Sequence, residues 1–227
     1  MANTEQTDQR PQDAARASLA PKAREIFAGL WATLFGSRRD IGKSVLICSA
    51  DRGEGASTIA CGLALAGSAA AAGARVALVD FNLHNPSLHR LLGANPSPGL
   101  REILTRGLAP EAAAQRINES LDFYAAGDSL PDAQLVLAGP AIAEFLNMLA
   151  DGYDHVLIDA PAVNRFPQAG VLAGIVKDVV LVAHTERTPL EAIAAAKNHL
   201  ESAGATLAGV VLNQRTYPIP SFLYRRV

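Results

Sequence analysis

Residues 45–58 read VLICSADRGEGAST, a short apolar run that passes through a glycine turn into a Ser-Thr pair. The run predicts a buried β-strand, and the alanine-rich segment after it predicts a helix. Gly53 and Gly55 allow the backbone N–H groups of the turn to point inward around phosphate oxygens, and the helix N-terminus adds a partial positive charge. Ser57 stands where a hydroxyl can bind Mg²⁺. The alternative is a glycine turn that opens a helix and binds nothing, but the acid-terminated strands farther along favour phosphate binding.

Apolar runs of strand type alternate with helical segments along the rest of the chain. This alternation predicts an α/β fold of three layers, a mostly parallel sheet with helices on both faces. A single domain is predicted over 21–214, with a disordered tail at 1–20, a C-terminal tail at 215–227 and a short-helix excursion at 82–120. Helices are predicted at 22–35, 141–149 and 189–202, and strands at 44–49, 75–81, 121–124, 155–159, 178–182 and 207–213.

Polar residues end four of the predicted strands: Ser49, Asp80, Asp159 and Asn213. In parallel α/β sheets, ligands bind at the carboxyl ends of the strands. The glycine turn and two buried carboxylates are therefore expected to meet at one edge of the sheet.

Composition excludes several classes of protein. The 227 residues carry 20 basic and 22 acidic side chains, and a net charge of −2 argues against a nucleic-acid partner. Cys48 and Cys61 lie in apolar runs, which indicates reduced thiols in a cytoplasmic protein, and neither zinc nor haem is expected. The polar N-terminus indicates no signal peptide, and the uncharged segment 55–74 is too rich in Ala, Gly and Ser to favour a membrane span.

Four blocks carry a family resemblance, in the order SADRGEGAST at 49–58, VDFNLHNPSLH at 79–89, YDHVLIDAP at 153–161 and GVVLN at 209–213. They resemble the Walker A loop, the Walker A′ strand, the Walker B strand and the last strand of the bacterial tyrosine kinases of polysaccharide export. Those kinases are relatives of the MinD/ParA deviant P-loop ATPases. The resemblance covers roughly residues 25–213 and implies a fold of the P-loop NTPase type.

The resemblance also implies roles for the matching residues. Asp80 and Asp159 would be the catalytic carboxylates, and together with Ser57 they would hold Mg²⁺. Asn213 would lie by the adenine. The residues expected to bind ATP or ADP are Arg52, Gly53, Glu54, Gly55, Ala56, Ser57, Thr58 and Asn213.

The departures from the family pattern affect positions to which the resemblance assigns phosphate binding and catalysis. Ala56 replaces the Walker A lysine, whose charge is worth about 4 kcal/mol at about 4 Å from a phosphate charge and an effective dielectric of about 20. Asn82 replaces the second Walker A′ carboxylate, and Gln168 replaces an Asp that follows Walker B. An amide does not accept a proton at neutral pH and is a poorer Mg²⁺ ligand. ATP, ADP and Mg²⁺ binding are therefore expected to be weakened, unless Arg52 lends its guanidinium to a phosphate.

Two family features of assembly are also changed. The first helix carries Glu25, Ala28 and Trp31 where many members carry Glu-x-x-Arg-x-x-Arg. A ring formed through that motif is therefore not expected, and Trp31 is interpreted as a core residue. The tail has only Tyr217 and Tyr224 in place of a phosphorylated tyrosine cluster, and an ordinary packing or tail role is favoured for both.

These motifs leave several functions open. The favoured hypothesis is a non-catalytic relative of the kinases, a cytoplasmic pseudokinase that regulates synthesis or export of an exopolysaccharide, capsule or holdfast-type polymer. It would sit at the inner membrane through a chain-length (co-polymerase) protein, and self-association is left open. The alternatives are an active tyrosine autokinase that uses Arg52, Asp80 and Asp159, a MinD/ParA-like positioning ATPase, and a binding module that keeps only the fold. Asp51 at the signature lysine position disfavours the positioning ATPase.

Overall fold

The computed structural model describes residues 20–36, 41–70, 73–127 and 140–214. Its strands are β1 (Ser44–Ser49), β2 (Val76–Asp80), β3 (Ala114–Asn118), β4 (Leu121–Tyr124), β5 (His155–Asp159), β6 (Asp178–His184) and β7 (Thr206–Asn213). Its helices are α1 (Pro21–Trp31), continued by one π-helical turn at Ala32–Gly36, α2 (Ala56–Ala70), α3 (Leu88–Leu92), α4 (Leu100–Arg106), α5 (Pro110–Ala113), α6 (Ala141–Gly152), α7 (Pro167–Val176) and α8 (Leu190–Ser202).

The seven strands form one sheet in the order β3-β4-β2-β5-β1-β6-β7. All neighbouring strands are parallel except β3 and β4, which pair antiparallel. Because β1 lies between β5 and β6, the glycine loop that follows it opens near the centre of the sheet edge. The predicted α/β architecture with a mostly parallel sheet is confirmed.

Both faces of the sheet are covered by apolar side chains. On β1, Leu46 and Cys48 belong to one buried cluster and Val45 and Ile47 to the other. The first cluster receives side chains from α4, α6, α7 and α8, and the second from α1, α2 and α3. A strand buried on both faces needs a continuous apolar run, which is the pattern that predicted it.

Helix α1 packs closely against α2 through aromatic rings and glycines. A Cβ on Gly62 would lie 2.3 Å from the Phe27 ring, and a Cβ on Gly67 would lie 2.3 Å from the Trp31 ring. Trp31 is buried, so its interpretation as a core residue is confirmed. The small side chains of α2 therefore serve close helix packing. Within the ranges that the structure describes, no helix has the length and apolar character needed to cross a bilayer.

Cys48 and Cys61 are buried, unpaired thiols, as expected. Burial, with the charge of Asp159 added, raises the pKa of each thiol to about 12. Glu54 contributes further to the shift at Cys48. Both thiols are therefore protonated at neutral pH and unreactive.

One strand departs from the sequence prediction. Residues 82–120 were expected to form only short helices, but the segment also contains β3, which extends the sheet at its edge. Only Ile117 of that strand is buried, so the strand lacks the apolar run by which the others were recognised. The predicted tails at 1–20 and 215–227, with Tyr217 and Tyr224, lie outside the described residues apart from Ala20.

Candidate functional site

A glycine-rich loop joins β1 to α2. Gly53 and Gly55 have φ of +78° and +90°, a conformation that residues with a side chain rarely adopt. A Cβ on Gly55 would also lie 2.3 Å from Nδ2 of Asn213. The Gly55 carbonyl accepts the N–H of Ile59 at 3.0 Å, so the helix begins directly after the loop. The loop geometry therefore requires both glycines. Beyond them, Ser57 is half-buried and Thr58 is exposed.

Glu54 ties the loop to two neighbouring segments. Its side chain is buried, and Oε2 accepts the Asp51 N–H at 2.9 Å. The Thr188 hydroxyl, in the loop after β6, donates to Oε1 of Glu54 and accepts the N–H of His184 at 2.8 Å. Nδ2 of Asn213, at the end of β7, donates to the Glu54 carbonyl oxygen at 2.8 Å. Contacts within the protein therefore hold the loop in shape.

Asp80 and Asp159 lie side by side, because they are registered partners at the ends of the parallel strands β2 and β5. Both are fully buried. Burial raises the pKa of Asp159 well above its usual value; the nearby Asp80 carboxylate raises it further, and the Ser57 hydroxyl partly opposes the rise. Neither carboxylate oxygen of Asp159 accepts a hydrogen bond of ordinary geometry from the described residues. An unsatisfied buried carboxylate marks a place for a proton, a water or a cation.

Both carboxylate oxygens of Asp80 accept hydrogen bonds from backbone N–H groups. Oδ1 accepts the N–H of Asn82 at 3.1 Å, and Oδ2 accepts the N–H groups of Ser87 and Leu88, each at 3.2 Å. Burial raises the pKa of Asp80 to about 6, against the lowering effect of these N–H groups and of Arg90. The carboxylate therefore anchors the segment that leads into α3.

The residues expected to hold Mg²⁺ differ in how many oxygen atoms they have free to coordinate it. Asp159 offers two oxygens without hydrogen-bond partners in the described part of the chain, and Ser57 lies beside it. Asp80 has three of its acceptor positions filled by backbone N–H groups, and Asn82 supplies a neutral amide. A metal at this position would therefore be held chiefly by Asp159 and Ser57, where it would supply positive charge to a phosphate.

Further unsatisfied polar groups follow β5. Gln168 is buried in the first turn of α7, and neither its Oε1 nor its Nε2 has a hydrogen-bond partner among the residues described. Asn164 donates through Nδ2 to the Ala192 carbonyl at 2.9 Å, while its Oδ1 is also unpartnered there. Asn164 and Gln168 both follow Asp159 closely in the sequence.

Ala56, which the family resemblance aligns with the Walker A lysine, is apolar and enclosed. Ala56 is 8% exposed at the start of α2. None of the four lysines of the chain lies on the loop or lines the cavity beside it. They are Lys22 in α1, Lys43 before β1, Lys177 at the end of α7 and Lys197 in α8.

A cavity of about 540 Å³ opens beside the loop. One wall is loop residues 51–54, another is Arg165 after β5, and the third is the segment after β6. Its lining residues are Asp51, Arg52, Gly53, Glu54, Arg165, His184, Arg187, Thr188 and Pro189. Of this set, the sequence predicts only Arg52, Gly53 and Glu54 as site residues. The others lie in the loop itself or at and after the ends of β5 and β6, and that position is the one sequence signal that marks them.

Arg52 projects onto an aromatic ring rather than into the loop. Its guanidinium carbon lies 4.7 Å from the centroid of the Phe166 ring. Phe166 also stacks against His84, with centroids 4.3 Å apart and planes at 21°. The neighbouring Arg165 pairs with Asp51, Nε to Oδ1, at 2.5 Å. The structure thus brings the guanidinium groups of Arg52 and Arg165 beside the loop.

Comparison with known proteins places this arrangement in context. The family model described as ParA, NUBPL iron-transfer P-loop NTPase, matches residues 40–222. The tyrosine-protein kinase YwqD of Bacillus subtilis (strain 168) is 32% identical over 172 residues, which are 75% of this chain and 72% of that protein. The putative tyrosine-protein kinase CapB of Staphylococcus aureus is 28% identical over 203 residues, 89% of this chain and 87% of that protein.

Structural similarity is also extensive. The crystal structure of the chimerical protein CapA2B2 superposes with a TM-score of 0.80 at 26% sequence identity. The match covers 92% of this chain and 91% of that one. The predicted resemblance is therefore confirmed for the fold and for the family.

Proposed function

This chain belongs to the ParA-like family of P-loop NTPases, with bacterial tyrosine kinases as its homologues, and from that premise we propose that it is a non-catalytic regulator. It acts in the synthesis or export of an exopolysaccharide, capsule or holdfast-type polymer. It works in the cytoplasm, at the inner membrane, through a chain-length (co-polymerase) protein. The family relationship supports the pathway, and the altered site supports the loss of catalysis.

The observation that carries the proposal is the alanine at position 56, where the family resemblance places the Walker A lysine. Ala56 has no charge to offer the β- and γ-phosphates, and the lysines lie on other elements. Transfer of a phosphoryl group depends on stabilising developing negative charge, so this loss weakens catalysis more than binding. Arg52 is drawn onto Phe166, which argues against its use as a replacement within the loop.

The remaining acids support the same conclusion. Asp80 binds three backbone N–H groups, and its neighbour Asn82 cannot act as a base at neutral pH. Asp159 sits in an environment that favours its protonated form. A hydroxyl nucleophile would therefore find no well-placed base among Asp80, Asn82 and Asp159.

The test compares ATP and ADP binding with Mg²⁺ by the wild-type chain, Ala56→Lys and Thr105→Lys. Thr105 is exposed on α4 and does not line the cavity beside the loop, so its variant adds the same charge away from the predicted phosphate position. We expect tight nucleotide binding only with Ala56→Lys. Micromolar ATP binding together with phosphotyrosine formation by the wild-type chain would overturn the proposal.

A second experiment addresses the partner. The chain is co-purified with an inner-membrane chain-length protein encoded by the same organism, with the partner's cytoplasmic segments deleted as the control. Retention that depends on those segments supports the proposal, and equal recovery with and without them contradicts it.

A further inference from the structure

Strand β7 forms one edge of the sheet, and its outer side is unpaired in the part of the chain that the structure describes. The Thr185 N–H, directly after β6, donates to the Asn213 carbonyl oxygen at 3.0 Å, so the backbone of Asn213 faces β6. Backbone groups alternate along a strand. Those of Val211 therefore also face β6, whereas those of Val210 and Leu212 face outward and are available for pairing.

The side chains along this edge are apolar and exposed. Leu212 is 61% exposed and Val210 is 42% exposed. Val211 packs against the buried cluster on the α1 and α2 face, so Val210 and Leu212 point to the opposite face, which α8 covers. Leu190, 78% exposed, begins α8 at the same end of the sheet as Leu212. Large aliphatic side chains are therefore exposed beside an open strand edge.

The two edges of the sheet differ in how they are protected. Edge strand β3 is short, carries Arg116 and has a register shift beside that residue. Shortness, charge and irregularity keep an edge strand from pairing with other chains. In contrast, residues 206–213 read TLAGVVLN, without charge or proline, and their register with β6 is regular from Gly209 onward. Among the described residues, β7 therefore lacks the usual protection of an exposed edge.

The sequence continues from this edge with a segment suited to cover it. Gln214, directly after β7, has φ of +57°, a left-handed conformation that residues with a side chain adopt mainly in turns. Residues 215–222 then read RTYPIPSF, which combines aromatic and β-branched side chains with two prolines. Aromatic and β-branched residues are enriched in strands.

The spacing of the two prolines fits an added edge strand. In an extended chain, the nitrogen atoms of Pro218 and Pro220 point to one side, and the N–H groups of Tyr217 and Ile219 to the other. Pairing with β7 through Tyr217 and Ile219 leaves the prolines, which have no N–H, on the new outer edge. Proline is tolerated at that position and prevents further pairing.

We propose that residues 215–222 form an antiparallel strand on the outer side of β7. In this strand, Tyr217 and Ile219 cover the exposed side chains of β7, because opposed residues of an antiparallel pair share one face. A segment joined to its site by a short turn acts at an effective concentration of the order of millimolar, which favours it over a second copy of the chain. The proposal is independent of the proposed function, because it involves neither the loop nor catalysis.

Amide exchange of the full chain, followed by NMR, tests this pairing. The N–H groups of Val210 and Leu212 report the outer side of β7, and that of Val211 reports whether the sheet is intact. The variant is Ile219→Pro, which removes an N–H from the proposed strand. The matched control is Arg225→Pro, which makes the same kind of change outside it.

We expect exchange at Val210 and Leu212 to be at least about tenfold slower than in an unpaired segment, and Ile219→Pro to accelerate it by about tenfold. Arg225→Pro should leave it unchanged, and Val211 should exchange slowly in all three proteins. Fast exchange at Val210 and Leu212 in the wild-type chain would overturn the proposal.

Two other outcomes would also contradict it. Slow exchange at Val210 and Leu212 that persists in Ile219→Pro would mean that another occupant covers the edge, and acceleration on dilution would then assign it to a second copy of the chain. Acceleration at Val211 to the same extent as at its neighbours would indicate opening of the sheet rather than loss of an added strand.

Discussion

Asn213 donates through Nδ2 to the backbone carbonyl oxygen of Glu54 at 2.8 Å. This contact joins the end of β7 to the loop after β1, across the intervening strand β6. The family resemblance suggested that Asn213 lies by an adenine, and that role stays a prediction. In this structure Asn213 fixes the backbone of the loop.

Asn213→Ala should loosen the loop. The Glu54 carbonyl loses its donor, so we expect the free energy of unfolding to fall by about 0.5–1.5 kcal/mol. Asn213→Asp should cost more, because a carboxylate oxygen would then face the carbonyl oxygen. Urea unfolding gives the stabilities, and amide exchange over 51–55 reports the loop. Unchanged exchange in both variants would contradict a positioning role.

Gly62→Ala and Gly67→Ala should weaken the docking of α1. Each new methyl group would meet an aromatic ring of α1 at 2.3 Å, which forces the ring or the helix to move. We expect a net loss of about 1–3 kcal/mol by urea unfolding. Gly29→Ala is the matched control, since that helical glycine has nothing within 4 Å and alanine should stabilise it. A gain in stability at all three positions would refute the packing argument.

His155 should contribute a loss of stability at acid pH, which the raised carboxyl pKa values of Asp80 and Asp159 oppose over the same range. Burial lowers the pKa of its imidazole, with Asp154 opposing and Lys43 adding to the shift, and its ring packs against Trp31 and Phe35. The fold therefore disfavours the protonated ring. At this site the unfolded chain binds more protons below about pH 6.5, so the contribution of His155 to stability is full above that pH and decreases as the pH falls through it.

The variant His155→Gln should lose less stability than the wild type on acidification from about pH 7.5 to about pH 5.5. His89 also has a lowered pKa, through burial and Arg90, so His89→Gln should remove a separate part of the dependence. Chemical denaturation at each pH measures both effects. A His155→Gln protein with the full wild-type loss would exclude this residue as the cause.

Asp80→Ala and Asp80→Asn should differ in stability. Both remove the charge beside Asp159, but only asparagine keeps an oxygen that can accept backbone N–H groups. We therefore expect the alanine variant to be less stable than the asparagine variant by about 1–3 kcal/mol in urea unfolding. Equal stabilities would mean that the contacts to Asn82, Ser87 and Leu88 contribute nothing.

Much of the fold was readable from the sequence because each central strand is buried on both faces. Such strands need unbroken apolar runs, and the runs before Ser49, Asp80 and Asp159 stand out for that reason. Edge strand β3 consists mostly of polar residues and buries only Ile117, so no apolar run marked it. The glycine loop was recognised because positive φ angles restrict its residue types.

The sequence by itself determined the α/β fold, the position of the loop and the residue types at two positions of the site, Ala56 and Asn82. These follow from local pattern and residue type, which need no knowledge of distant contacts. Only the tertiary structure decided that Arg52, Arg165 and Arg187 line one cavity. It likewise decided that Thr188 binds Glu54. These residues lie far apart in the chain, and they meet because parallel strands bring the segments after their carboxyl ends to one edge of the sheet.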